Sequence, residues 1–277
     1  MKKHLSLIII VALFLLGAAS VLYPTVANYF YEKNSSKAIQ HHEKQEKKLS
    51  ATEIAREKER VRRYNESLVD NGVVLTDPFD PDAFPITEGN YEELLAFDDI
   101  MATVEIPAID VKLPVYHGTS EEVLKKGAGH LENTSLPLGG KNTHTVISAH
   151  CGHPAARLFT DLTSVKVGDR FYITVLGKNL AYRVCKIEVV VPEDSSLLMI
   201  EAGKDLATLV TCTPYGKNTH RLLVHGERTK YDRKEAQKSR ASRVAVPLQS
   251  LLMLTALTIA LIFAGVPNDC NSNHALL

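Results

Sequence analysis

Cysteine is scarce in this chain. Cys151, Cys185, Cys212 and Cys270 are its four thiols in 277 residues, too few to staple a scaffold of this length with disulfides. Net charge is missing too. The 32 basic residues balance the 32 acidic ones, so no overall field draws the protein to nucleic acid. There is no internal repeat, which excludes solenoids and arrays, and no low-complexity tract. Metal-ligand spacing is also lacking: His144, His153, His220 and His225, taken with Cys151 and Cys212, form none of the paired short-range patterns of a structural zinc site.

Apolar runs, by contrast, mark both ends. Residues 5–23, LSLIIIVALFLLGAASVLY, follow Met1-Lys2-Lys3 and carry no charge. Residues 244–266, VAVPLQSLLMLTALTIALIFAGV, are equally uncharged. A hydrocarbon core about 30 Å thick takes about 20 such residues in a helix. The first run reads as a retained anchor, since a signal peptide's apolar region is usually about 7–15 residues and ends at small residues. This run is longer, and Ala18, Ala19 and Ala27 make an indifferent cleavage site. Lys2 and Lys3 favour a cytoplasmic N-terminus, which exports the middle of the chain. The second span fits that rule poorly, because its basic flank (Arg228, Lys230, Arg233, Lys234, Lys238, Arg240, Arg243) then lies outside, which leaves two readings: contact with anionic headgroups, or a different topology. Two spans leave Cys270 in a short cytoplasmic tail and three cysteines outside. An odd count there implies a leftover thiol, reactive or intermolecular.

Between the spans the texture changes twice. After the anchor (residues 1–31), residues 32–70 mix charges of both signs and place Leu49, Ile54, Val61 and Leu68 at loose helical spacing. They read as a solvated helical stalk holding the domain off the membrane. NGVVLTDPFDPDAFP, residues 71–85, is rich in Pro and Asp, and residues before proline avoid helix. From Met101 short apolar strands follow: MATVEIPAI, VKLPVYHG, THTVISAH, RFYITVL, LAYRVCKIEVVV, ATLVTC and RLLVHGE. SEEVLKKGAG, PAARLFTDL and SSLLMIEAG read as short helices among them. Many strands with few helices predict a mainly β fold, a closed barrel of about 130 residues within residues 91–228. A basic juxtamembrane linker (229–243), the C-terminal transmembrane helix (244–266) and a tail (267–277) complete the plan.

The chemistry centres on LVTCTPYGKNTHRLLV, residues 209–224. If LVTC and RLLV pair as a hairpin, Cys212 and Arg221 flank its neck at a cross-strand separation of about 4.5–5.5 Å. A cation favours the thiolate, the nucleophilic form of cysteine. The same guanidinium can stabilise the oxyanion formed when that sulfur attacks a carbonyl. Upstream, His150 ends a strand just before Gly152 and Pro154 break it, a position suited to a general acid for a leaving amine. Singly, each residue has a plainer reading: a packed strand cysteine, a surface arginine, a structural histidine.

Taken together, TLVTC followed by HRLLV, with VISAH upstream and an apolar span at each end, resembles the sortases, and most closely their pilus-assembling class C branch. The resemblance runs from about Asn65 to Arg228. It implies an eight-stranded sortase-type β-barrel and a cysteine transpeptidase. TDPFDP, residues 76–81, looks like that branch's lid, within a lid segment 71–90. The likeness implies that Asp77 bonds Arg221 and that Phe79, after Pro78, covers the Cys212 sulfur. It further implies cleavage of an LPXTG-like signal between Thr and Gly, a thioester on Cys212, protonation of the departing amine by His150, and resolution by a lysine amine of another pilin. Implied partners are LPXTG-bearing pilins or surface proteins and the plasma membrane, with the catalytic domain on the extracellular face of a Gram-positive cell. No metal, organic cofactor or nucleic acid is implied. Two positions depart from the family: Ala149 replaces the usual glycine, and Cys151 the basic residue that often follows the histidine. Cys151 reads as buried, or as paired with Cys185. The competing functions are a cysteine hydrolase, in which water resolves the acyl-enzyme, and a non-catalytic tethered binding module.

Overall fold

Strands form where β-branched and aromatic residues alternate with smaller or polar ones. In the computed structural model, which describes residues 2–71, 75–80, 90–234 and 236, there are eight of them. They are β1 (Ala102–Ile106), β2 (Val111–His117), β3 (Ala128–His130), β4 (Thr143–Ser148), β5 (Arg170–Val175), β6 (Lys178–Val190), β7 (Asp205–Thr213) and β8 (His220–Thr229). They close in the order β1-β2-β3-β4-β7-β8-β6-β5, with β5 returning to β1. Closure leaves no unpaired sheet edge. Two neighbouring pairs, β2–β3 and β4–β7, are parallel. The inward faces supply one core cluster that includes Val104, Val115, Ile147, Phe171, Ile173, Leu209 and Val224. Gly226 serves this crowding: a Cβ there would lie 2.4 Å from the Phe171 ring.

Three short segments differ from their expected form. The helix α3 is Glu121–Lys126. The residues after it, read as its continuation, instead form β3 between β2 and β4. Gly129 permits this, because a Cβ on it would meet the Gly118 carbonyl oxygen at 2.3 Å. PAARLFTDL is not a helix. Its backbone turns so that Leu158 and Phe159 plug the core, and only a 3-10 turn, Leu162–Ser164, follows. SSLLMIEAG shrinks to a 3-10 turn at Ser196–Leu198.

Two helices precede the barrel: α1 (Lys2–Glu46) and α2 (Ala51–Asn71). From Ala12 onward α1 is long and apolar enough to cross a membrane, and its Leu13, Phe14, Leu16, Val21 and Leu22 are exposed. The charged stretch 32–70 is helical but is not the solvated stalk expected. It breaks at residues 47–50, where Ser50 and Glu53 form a reciprocal capping box. The stripe at Val61, Tyr64 and Leu68 is buried in the barrel's own core cluster. Polar contacts reinforce that docking. Glu46 accepts from Leu176 N at 2.7 Å and Glu57 from Leu95 N at 2.7 Å. Asn65 both donates to Leu136 O and accepts from Leu136 N, at 3.1 and 2.8 Å. The remainder of the lid segment (72–74, 81–89), Cys270, most of the basic linker, the apolar run 244–266 and the tail lie outside the described residues.

Candidate active site

Strand parity decides which side chains meet. Along β7, Ala207 and Leu209 face the barrel core, so Thr208, Val210 and Cys212 face outward. The β7–β8 register then pairs Thr208 with His225, Val210 with Leu223, and Cys212 with Arg221. The neck-of-the-hairpin arrangement is therefore present. On the other flank, parallel β4 sets Ser148 against Val210. Two bonds carry that ladder further: Ala149 N donates to Val210 O at 3.2 Å, and Thr211 Oγ1 donates to Ala149 O at 2.7 Å. They bring His150 level with Cys212 and on the same outward face. Thus β7 holds the sulfur, with the guanidinium on β8 and the imidazole two residues past the end of β4.

Below them lies a second, smaller apolar cluster of Leu131, Val146, Leu198, Val210 and Leu223. Leu75 and Phe79 of the preceding segment pack on it. The segment is held there by charge. Arg221 Nε and Nη2 donate to the two Asp77 carboxylate oxygens at 2.7 and 2.5 Å, a bidentate pair with side chains only 10% and 11% exposed. Arg221 Nη1 donates to the carbonyls of Asn218 and His220. Asp77-Pro78-Phe79 make a turn closed by Asp80 N donating to Asp77 O. The turn lays the Phe79 ring 5.2 Å from the Arg221 guanidinium carbon and 5.9 Å from the His150 ring.

The electrostatics follow from this enclosure. Burial pushes the Cys212 thiol up to about 11; Arg221 opposes that rise, while Asp77 and Cys151 add to it. Burial likewise holds His150 below its ordinary value, with Glu121 opposing. Burial acts to lower Arg221, and its contact with Asp77 and the nearby Cys212 outweigh that and raise it. The site thus rests as a thiol, a largely neutral imidazole and a guanidinium whose charge is already matched.

Several residues take on roles here that the sequence reading did not give them. Thr211 clamps β4 to β7, and the Asn218 carbonyl, from a residue at φ 57°, orients Arg221. Glu121 Oε2 lies 3.5 Å from His150 Nε2. Gly152 has a function its neighbours explain: at φ +77° it lacks a Cβ that would sit 2.8 Å from the Tyr215 ring, so the β7–β8 loop rests on the His150 loop.

The expected alternative pairing of Cys151 with Cys185 is not present, and both thiols are free. Cys151 is half-buried beside the active site. Cys185 is exposed at the β6 bulge, where its Sγ donates to His225 O. From Arg221 to His225 along β8 is about 14 Å at 3.4 Å per residue, whereas a disulfide needs Cα atoms within about 7 Å. The histidines weighed for zinc are otherwise engaged. His144 Nδ1 donates to Met199 O, and Thr208 Oγ1 bridges His144 Nε2 and His225 Nδ1 at 2.7 and 2.8 Å. Among the described residues, no group of three His, Cys, Asp or Glu side chains is arranged to hold a metal ion.

A cysteine paired with an arginine, with a histidine nearby, on the outward face of a closed eight-stranded barrel is an arrangement that can support cysteine acyl transfer. Comparison with known proteins agrees. The sortase domain model matches residues 104–229. Sortase A of Streptococcus agalactiae is 30% identical over 131 residues, which span 46% of this chain and 52% of that protein. The crystal structure of Streptococcus agalactiae sortase C1 is 42% identical with a TM-score of 0.67, covering 73% of this chain and 100% of that one. A pilus-related sortase C of Group B Streptococcus is 47% identical with a TM-score of 0.65, covering 69% and 97%. The chain belongs to the sortase family, and its likeness to these structures places it in class C.

Proposed function

We propose that the protein is a membrane-anchored cysteine transpeptidase that polymerises pilins. It cleaves an LPXTG-like signal between Thr and Gly. The observation that carries this reading is the direct cross-strand pairing of Cys212 with Arg221, with His150 just past the end of β4 on the other side of β7. The Cys212 thiol passes its proton to His150, the resulting thiolate attacks the threonine carbonyl carbon, and Arg221 stabilises the oxyanion. As the C–N bond breaks, His150 gives its proton to the departing glycine amine, leaving a thioester on Cys212. A lysine amine of the next pilin then attacks that thioester. A C–N bond forms, the C–S bond breaks, and the proton returns to His150. One amide replaces another, so no nucleotide is consumed. Support for pilin as substrate is the likeness to the pilus-related sortase C.

The segment around Asp77 acts as a lid. Its carboxylate occupies the guanidinium that substrate would use, and Phe79 screens the same groove. We assign α1 as the anchor, with Lys2 and Lys3 in the cytoplasm and the barrel on the extracellular face; residues 244–266 are proposed as a second span.

The test is to incubate the detergent-solubilised protein with a sorting-signal peptide, with and without a lysine-like amine. Amine-dependent formation of the Thr–amide product is expected. Cys212→Ala is expected to abolish it with little change in melting temperature. Release of free acid indifferent to amine would identify a hydrolase instead, and normal surface polymers in cells carrying Cys212→Ala would identify a binding module.

A further inference from the structure

We propose that Glu121 is a positioning residue for His150, addressing Nε2 of its ring and favouring the imidazolium over the neutral form when the site turns over. The proposal rests on the transpeptidase reading of His150. Glu121 opens α3, whose N-terminus is capped by Ser120 accepting from Val123 N. Its carboxylate is divided between two partners. Oε1 lies 3.1 Å from Lys125 Nζ one turn along, and Oε2 lies 3.5 Å from His150 Nε2. Lys125 fixes the carboxylate's orientation from the solvent side, and Glu121 is 60% exposed.

The His150 ring is flanked on two more sides. The His153 ring stacks on it at 6.2 Å and 21°, and Phe79 packs at 5.9 Å. The other charged or titratable groups of the site, Cys212 and the Arg221–Asp77 pair, lie on the neighbouring strands and the lid. Flat neighbours constrain the ring plane, and Glu121 addresses the nitrogen edge. A neutral imidazole gains little from a carboxylate, whereas an imidazolium gains a charge-assisted contact. The departing amine needs a proton, and only the imidazolium carries one to give. Burial, Lys125 and His153 all oppose that form; Glu121 is the group that favours it. Because Glu121 is exposed the contact is weak, so it costs the imidazolium little to give its proton to the leaving nitrogen.

The experiment uses the full chain in detergent on an Asp77→Ala background, which frees Arg221. The histidine rings are isotopically labelled, and His150 is assigned by its loss in His150→Asn. Glu121→Gln is expected to lower the NMR titration midpoint of His150. It should also reduce kcat/KM about two- to five-fold at pH 7.5, the range of a largely exposed ion pair, with little difference near pH 5.5. Glu121→Asp should recover part of the loss. Glu122→Gln, the same charge change on the next residue, should move neither readout. An unmoved His150 midpoint, or a loss equal at every pH, would overturn the assignment. Should the parent transfer no acyl group at all, the transpeptidase reading fails, and the titration still decides the contact.

Discussion

Deleting the lid's two contacting side chains, Asp77 and Phe79, should make Cys212 more reactive, by an amount the structure bounds. In the closed state every guanidinium nitrogen of Arg221 is engaged, two by Asp77 and the third by backbone carbonyls. The thiol sits near 11 against an ordinary 9.0, chiefly through burial and also through the Asp77 charge. Two pH units mean about a hundredfold fewer thiolates at pH 7.5. A less basic thiolate is also a weaker nucleophile, by a Brønsted slope of about 0.4–0.5, which returns roughly six- to tenfold over that interval. The net electrostatic gain on full opening is therefore about ten- to sixteenfold. That range is an upper bound on this contribution, since the lid supplies only part of the burial. The assay is iodoacetamide labelling of the double Ala variant and its parent at pH 7.5, read by peptide mass spectrometry at Cys212 with exposed Cys185 as internal reference. Asp77→Asn, which keeps the bulk and removes the charge, should give a smaller rise. A Cys212 labelling rate in the double variant equal to or below the parent's refutes both the lid and the electrostatics behind it.

Acid should destabilise the fold through its buried histidines. His130 is fully buried, bonded to Tyr91 and to Ser135 O, and burial depresses it from 6.5 to about 4. It is neutral when folded, so the unfolded chain takes up its proton first. Its contribution is intact above about pH 6.5 and is lost as pH falls toward 4, amounting to about 3 kcal/mol. Denaturant unfolding between pH 7 and 4.5 measures this, and His130→Gln should flatten the curve; a parent slope no steeper than the variant's would contradict it. Asn65→Ala should cost about 2 kcal/mol, because it strands the buried amide and carbonyl of Leu136. A urea midpoint unchanged by that substitution would mean that α2 adds nothing to the barrel's stability.

What could be read in advance was what is local. Seven strand runs stood out because alternation is written in neighbouring residues. The Cys212–Arg221 pairing was legible because one tight loop joins two strands whose register leaves little choice. By contrast, β3 is three residues, preceded by Gly127 and centred on Gly129, with no period of its own. It is a strand only because β2 and β4 both offer it hydrogen bonds. PAARLFTDL had helical composition, but burying Leu158 and Phe159 outweighed that propensity. The stripe on α2 was visible as spacing, yet its charge suggested solvent; nothing local says that a barrel wall waits for Val61 and Leu68.

The sequence by itself determined the class of fold, the apolar first helix and the chemical identity of the thiol, the imidazole and the guanidinium. Tertiary structure alone decided the docking of α2 on the barrel, the contact of Glu121 with His150, and the depth at which Cys212 is held as a thiol; the Asp77–Arg221 contact across 144 positions was expected from family resemblance and from no local pattern. The physical reason is one of range. Propensity and periodicity act over a few residues, whereas an ion pair's strength and a thiol's acidity depend on what excludes water around them, and that is supplied by strands and a lid remote in sequence.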